Sequence, residues 1–169
     1  MDILVFSDSH GEGDKIEEAI KRQIKNPAAI IFLGDGLRDI EYAQIGDIPV
    51  YSVSGNCDFG LFAIRAKDEH TISLGGKRIF FAHGHRYGVK STLTPIISKA
   101  INEEADILLF GHTHEALEWC IDSENRLGIK TDKPLYIMNP GSVGSYPYRF
   151  GVITIDHTGR VLLSHGSLE

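Results

Sequence analysis

Short, unbroken apolar runs recur along the chain, and each one stops abruptly at small or polar residues. Ile3–Phe6, residues 28–33, the more mixed Val50–Val53, Ile79–Ala82 and residues 107–110 are the five. A run this short, apolar at every position, predicts a strand buried on both faces. Two other stretches carry apolar residues at helical spacing. Ile16, Ala19, Ile20 and Ile24 predict a helix over 14–25, with Asp14 and Glu17 as a capping box and Asn26-Pro27 as its stop. Leu93, Ile96, Ile97, Ala100 and Ile101 predict a helix over 91–104, with Thr94 as cap and Pro95 as the first helical position.

Weaker signals complete the pattern. A short helix is expected around Leu37–Ala43, and residues 59–69 read as an irregular connection. Strand patterns flank Gly75-Gly76, which suits a type I′ turn, and a second hairpin is expected about Thr158-Gly159. Residues 116–137 read as antiparallel strands around a polar stretch, 122–133, and Asn139–Ser142 as a tight loop. Strand and helix alternate in the first half, and the second half is rich in strands. The expectation is an α/β domain of mixed sheets with helices outside, one domain over residues 1–169.

Composition narrows the function. The 169 residues carry a formal charge of −6, which argues against stable nucleic-acid or anionic-membrane binding. Cys57 and Cys120 make neither a disulfide framework nor a zinc-type Cys pair. No apolar run approaches the ~20 residues of a membrane span, and the chain opens directly on a strand. A cytoplasmic protein is expected; a homo-oligomer stays open. Gly11-Glu12-Gly13 lacks the third glycine of a dinucleotide loop, since Ile16 stands there.

The residues after the apolar runs carry the chemistry. They are Asp8 and His10, Asp35, Asn56, His83, and finally His112 and His114. In α/β folds, ligands gather beyond the carboxyl ends of the strands, so these loops are expected to meet. Hydrogen bonding at strand ends is the plainer reading of any one of them. Together they form four imidazoles, two carboxylates and an amide, which two metal ions with one shared carboxylate would use in full. Nitrogen and oxygen donors without thiolate suit Mn, Fe, Ni or Zn. Two such ions about 3.5–4 Å apart activate a bridging water and clamp an in-line phosphoryl displacement. They would also make the site positive within an acidic protein, and so receptive to an anion.

The ordered series Asp8-x-His10, Gly34-Asp35, Gly55-Asn56-x-Asp58, His83-Gly84-His85 and Gly111-His112-x-His114 resembles the calcineurin-like metallophosphoesterase superfamily. Length, the opening strand and Asn139-Pro140-Gly141-Ser142 resemble its small bacterial and archaeal branch of YfcE-like phosphodiesterases. The resemblance covers nearly the whole chain. It implies a four-layer α/β/β/α sandwich with two central mixed sheets. It also implies that Asp8, His10, Asp35 and His114 hold one metal ion, and Asn56, His83, His112 and the shared Asp35 the other. Manganese is the first expectation for the metal, and the substrate would be a small phosphate ester attacked by a metal-bridging hydroxide. Cys57 stands where many members have a histidine thought to assist the leaving group, so Cys57 and His85 are the candidates for catalytic roles beyond the metals.

Plainer readings remain beside these. Cys57 reads as a small buried thiol, Asp58 as a support for its loop, and Asn139 and Ser142 as turn formers. Tyr146, Tyr148 and Arg149 are candidates for a substrate rim, while His70, His157 and His165 lie away from the clusters. A non-catalytic scaffold is the alternative function, because a retromer subunit resembles this fold. A nuclease of the same superfamily is disfavoured by the short chain and the absence of a basic stripe.

Overall fold

A computed structural model describes residues 1–122, 128–129 and 131–169. Part of the polar stretch 122–133 therefore lies outside the described residues. The strands are β1 (Asp2–Phe6), β2 (Ala29–Phe32), β3 (Val50–Ser52), β4 (Glu69–Leu74), β5 (Lys77–Ala82), β6 (Ile107–Leu109), β7 (Leu117–Ile121), β8 (Leu135–Asn139), β9 (Arg149–Ile155) and β10 (Val161–Ser167). The helices are α1 (Gly13–Lys21), α2 (Leu37–Tyr42), α3 (Gly60–Arg65) and α4 (Thr94–Asn102). Two five-stranded mixed sheets result, ordered β10-β9-β1-β2-β3 and β4-β5-β6-β8-β7.

Alternation along each strand builds four layers from the apolar runs. Ile3 and Val5 of β1 point between the sheets and meet Ile79, Phe81, Ile107 and Leu109 from the other sheet. Leu4 and Phe6 point the opposite way, to Ile16 and Ala19 of α1 and Leu37 and Ile40 of α2. Phe80 and Leu108 likewise leave the second sheet outward, onto Ile96, Ile97 and Ala100 of α4. Every side chain of the runs in β1, β2 and β6 has a core to enter, which is why those runs contain no polar interruptions, whereas Val50 of β3 is exposed and Ser52 interrupts its run. The expected α/β/β/α sandwich is the observed fold.

Local departures from expectation have plain causes. Helix α1 stops at Lys21 and Ile24 is fully exposed, because the outer core is already closed by Ile16, Ala19 and Ile20. Asp14 and Glu17 make no capping box: Glu12 occupies the cap position, and Glu17 accepts a hydrogen bond from the Gln44 amide and pairs with Lys21. Thr94 is the first helical residue of α4 rather than its cap, which falls on Leu93. Residues 59–69 are not irregular throughout, since α3 occupies Gly60–Arg65. Gly75 and Gly76 both have positive φ, 56° and 73°, as the expected turn requires. Among the described residues no helix is long and apolar enough to cross a membrane.

Strand direction places the site. β1, β2 and β3 run parallel in one sheet, and β5, β6 and β8 run parallel in the other. Their carboxyl ends deliver Asp8, Asp35, Asn56, His83, His112 and Asn139. The five expected loops thus gain a sixth, through β8.

Candidate metal centre

The turns that carry the expected ligands are tight. Asp8, His10, Asp35, His112 and His114 all have φ between 47° and 67°. That left-handed conformation costs a non-glycine residue about 1–2 kcal/mol, and such strain concentrates at functional sites. It turns each side chain back across its strand end. Backbone bonds hold the turns, among them Asp8 N to Gly34 O at 3.0 Å, His10 N to Asp35 O at 3.2 Å and Gly144 N to Asp8 O at 3.1 Å. Gly34 has φ +97°, and a Cβ there would lie 2.4 Å from the Gly55 amide nitrogen. The two loops that carry Asp35 and Asn56 touch because both lack side chains at this crossing.

Two donor groups form side by side. Asp8, His10 and His114 each present a ligand atom within 4.8 Å of the others, and so do Asp35, His83 and His112. His114 Nε2 lies 3.1 Å from Asp8 Oδ1, and His10 Nε2 lies 3.3 Å from His114 Nε2. In the second group His83 Nε2 is 3.4 Å from Asp35 Oδ2 and 3.2 Å from Asn56 Oδ1. The His83 and His112 rings are 5.1 Å apart. All seven expected ligand residues converge.

Their chemistry fits a cation. Asp8 Oδ1 is buried and has no hydrogen-bond partner, although imidazole nitrogens of His114, His10 and His83 stand 3.1, 3.9 and 3.9 Å away. An orphaned buried carboxylate oxygen is costly unless a cation answers it. Burial alone would lower the pKa of His83, but the Asp35 and Asp8 carboxylates outweigh it and hold the imidazole above its usual range. Burial would raise Asp35, but His83 and the Cys57 amide outweigh it and hold the carboxyl well below the carboxylate range. The site therefore demands positive charge, whether from a proton on His83 or from metal. His112 is held below the imidazole range by burial and by the neighbouring His83, which favours its neutral, ligating form.

A ring of further residues holds these loops, and sequence reading undervalued most of it. The Asp58 carboxylate accepts four backbone N–H bonds, from Asp35, Gly36, Leu37 and Gly55, at 2.8–2.9 Å. It clamps the ligand loops after β2 and β3 together. Asp39 Oδ2 accepts bonds from Ser9 Oγ and the Gly11 amide, at 2.5 and 2.8 Å, bracing the loop after β1. Asn139 donates to Gly111 O and Thr113 Oγ1, and Ser142 donates to Asp8 O. His165, read as remote, bonds the Asn139 carbonyl at 2.7 Å. Apart from the bond between Asp58 and Gly55 in one loop, these contacts join residues distant in sequence and leave no local signal.

Cys57 is exposed, not buried as the plainer reading had it. Its amide donates to Asp35 Oδ1 at 2.7 Å, and its Sγ shares a donor group with His10 and Asp35. Desolvation and the Asp35 carboxylate hold the thiol above its ordinary pKa. The His85 ring stands 5.4 Å from that of His83 and 6.1 Å from that of His112, and its buried Nδ1 has no partner. A cleft of about 710 Å³ opens beside His10, Asp35 and Cys57 and is walled by Arg38, Tyr42, Phe59, Leu61 and Phe62. None of these wall residues stood out in the sequence. Tyr146 and Tyr148, expected at a rim, stack edge-to-face on each other and do not line this cleft.

A two-sheet sandwich whose joined strand ends carry nitrogen and oxygen donors presents groups that could hold metal ions. A family model described as the calcineurin-like phosphoesterase superfamily domain matches residues 1–158, and the chain belongs to that superfamily. A Bacillus subtilis (strain 168) protein named "Probable metallophosphoesterase YsnB" is 32% identical over 143 residues, 85% of this chain and 75% of that one. The structure of an archaeal phosphodiesterase superposes with a TM-score of 0.72 at 20% identity, over 98% of this chain and 99% of that one. Vps29 from Entamoeba histolytica, in a complex with zinc, superposes with a TM-score of 0.68 at 18% identity over the whole of both chains. At such identities the two structures speak for the fold alone. Family membership makes this chain a metal-dependent phosphoesterase acting on a small phosphate ester.

Proposed function

We propose that this chain is a dinuclear phosphodiesterase of the cytoplasm, its 169 residues working as one domain. The observation that carries this reading is the pair of abutting donor groups, with Asp8 Oδ1 lying 3.1 Å from His114 Nε2 of one and 3.9 Å from His83 Nε2 of the other. Asp8, His10, Asp35 and His114 would hold one ion, and Asn56, His83, His112 and the shared Asp35 the other. Manganese is the proposed ion, and Fe, Ni or Zn suit the same donors. When bound, two divalent ions acidify water and neutralise charge that builds on the phosphoryl oxygens.

The remaining work falls to the chain. His85 is held below the usual imidazole range by burial, then by His83 and Arg86, so it is neutral near pH 7. A neutral imidazole suits it to hydrogen-bond a phosphoryl oxygen more than to protonate a leaving group. Cys57, with its raised pKa, is a poor match for proton transfer near neutrality. Weak general-acid assistance favours esters with good leaving groups. A diester also has two arms to place. Besides the first cleft, a second of about 520 Å³, lined by Lys67, Glu69 and Arg86, borders His85. The scaffold reading draws only on fold likeness to Vps29, and a full donor set favours catalysis over it.

The test combines metal content with a substrate screen. About two ions per chain are expected, with hydrolysis of aryl phosphodiesters exceeding that of alkyl monoesters. Asp35→Asn is expected to lower occupancy of both sites. A fully loaded protein inert toward diesters would overturn the reading.

A further inference from the structure

We infer that the cleft running from His10 and Asp35 to Phe59 and Tyr42 is the subsite for one ester arm of the substrate, and that this arm carries a flat aromatic ring. The inference rests on the phosphodiesterase reading and names its substrate class. Tyr42, Phe59 and Leu61 are 69%, 82% and 67% exposed, and all three face one cleft. Exposed apolar side chains are ordinary singly, but a contiguous group beside a polar site marks a binding surface. The core does not explain their presence: none of the three belongs to a core cluster among the described residues.

The wall is built for a ring. Tyr42 packs edge-to-face on Phe62, with centroids 6.1 Å apart at 70°. The Arg38 guanidinium lies 6.0 Å from the Tyr42 ring centre, and Arg38 forms no ion pair among the described residues. A planar cation beside exposed aromatic faces can stack on a guest ring or meet its charge. Beyond Asp35 of the donor groups, the carboxylates in the cleft are committed elsewhere, Asp58 to four amides and Asp39 to Ser9 and Gly11. At about 710 Å³ the cleft falls within the size range of small-molecule sites. It is continuous with the donor groups through His10, Asp35 and Cys57. A phosphate held at those donors would place an aryl or nucleobase arm against Phe59.

Two substrates with the same leaving group isolate the arm: bis(4-nitrophenyl) phosphate and methyl 4-nitrophenyl phosphate. The ratio of their kcat/KM values is measured for wild type, Phe59→Ala, Arg38→Ala and the control Leu162→Ala, whose side chain is exposed outside this cleft. The ratio is expected to fall about five- to tenfold in Phe59→Ala, the scale of a lost aromatic contact. It should fall in the same direction in Arg38→Ala and hold in Leu162→Ala. A kcat/KM for each diester that is unchanged in all four proteins overturns the subsite and spares the phosphodiesterase, whereas a fall for both esters at equal ratio places the leaving aryl arm in it. The amides of residues 37–42 and 60–65 are then followed by NMR during titration with phenylphosphonate. If neither ester is cleaved but these amides shift in wild type and not in Phe59→Ala, the aromatic subsite stands and the phosphodiesterase reading falls. A wild-type dimer that Phe59→Ala converts to monomer by light scattering makes the patch an interface between copies, and the inference fails.

Discussion

His83 donates through Nδ1 to the Leu33 carbonyl at 2.8 Å, while its Nε2 faces Asp35 Oδ2 at 3.4 Å. A carbonyl can only accept, so the tautomer is set and Nε2 is left with a lone pair. That lone pair also faces Asn56 Oδ1 at 3.2 Å and Asp8 Oδ1 at 3.9 Å. Acceptors confront one another here, and only a proton or a cation between them makes the arrangement stable.

Protons and metal should therefore compete, with a sign that follows from the directions of the shifts. The raised pKa of His83 adds stability that is fully present below its ordinary 6.5 and is lost as pH rises through its folded value. The lowered pKa of Asp35 adds stability that is present above its ordinary 3.8 and is lost as pH falls through its folded value. Chelator-treated protein should gain from both between those two pH values. Metal needs the neutral imidazole, so the rise in Tm produced by manganese should grow as pH climbs past 6.5. Thermal scans from pH 5 to 8.5, with and without manganese, check this. A metal-induced rise that stays constant across the range would contradict it.

Asp58 should matter far more to stability than a half-buried carboxylate usually does. Asp58→Ala removes the acceptor for four amides that join two ligand loops. A loss of about 2–4 kcal/mol in urea unfolding is expected, the cost of stranding charge-assisted bonds. Metal occupancy should fall with it, and Asp58→Asn should lose less of both.

Cys57 offers a sharper probe of the leaving group. Cys57→Ala should retain the metals and much of the activity toward aryl diesters, whose leaving groups need little protonation. Cys57→His should help alkyl esters more than aryl esters. The measurement is the alkyl-to-aryl rate ratio for each protein with metal content alongside. Loss of metal in Cys57→Ala would make the thiol a ligand, and loss of aryl activity with metals intact would make it a reactant.

Beside the second cleft, Tyr87 is half-buried against Glu69, to which its hydroxyl donates, and desolvation and that carboxylate push its pKa up to about 12. The unfolded phenol ionises near 10.0, so this pair's stability is full below that value and is lost as pH rises toward 12. Absorbance at 295 nm should show a late phenolate step that Tyr87→Phe removes.

The buried strands were legible because their residues serve two cores at once. Ile3 and Val5 enter one, Leu4 and Phe6 the other, and no polar residue fits either. Candidate ligands were legible for a related reason: a histidine directly after such a run has little to do except meet the other strand ends. Helix α3 was not legible, because its six residues turn only Phe62 toward the core and bury none fully, too little for an amphipathic period. Ile24 misled, because helical spacing continues past the last turn that has a core to face.

The chain by itself determined which segments are buried and which side chains stand at their ends, since both follow from local spacing and the exclusion of polar groups from a core. Only the tertiary structure decided what those ends do together. It placed β8 beside β6, so that Asn139 braces the loop carrying His112 and His114. It set the ligand turns at positive φ, gave Asp58 its four amides, and left Phe59 and Tyr42 facing one cleft. Each of these depends on groups far apart in sequence meeting through the pairing of strands, and nothing in local spacing encodes that meeting.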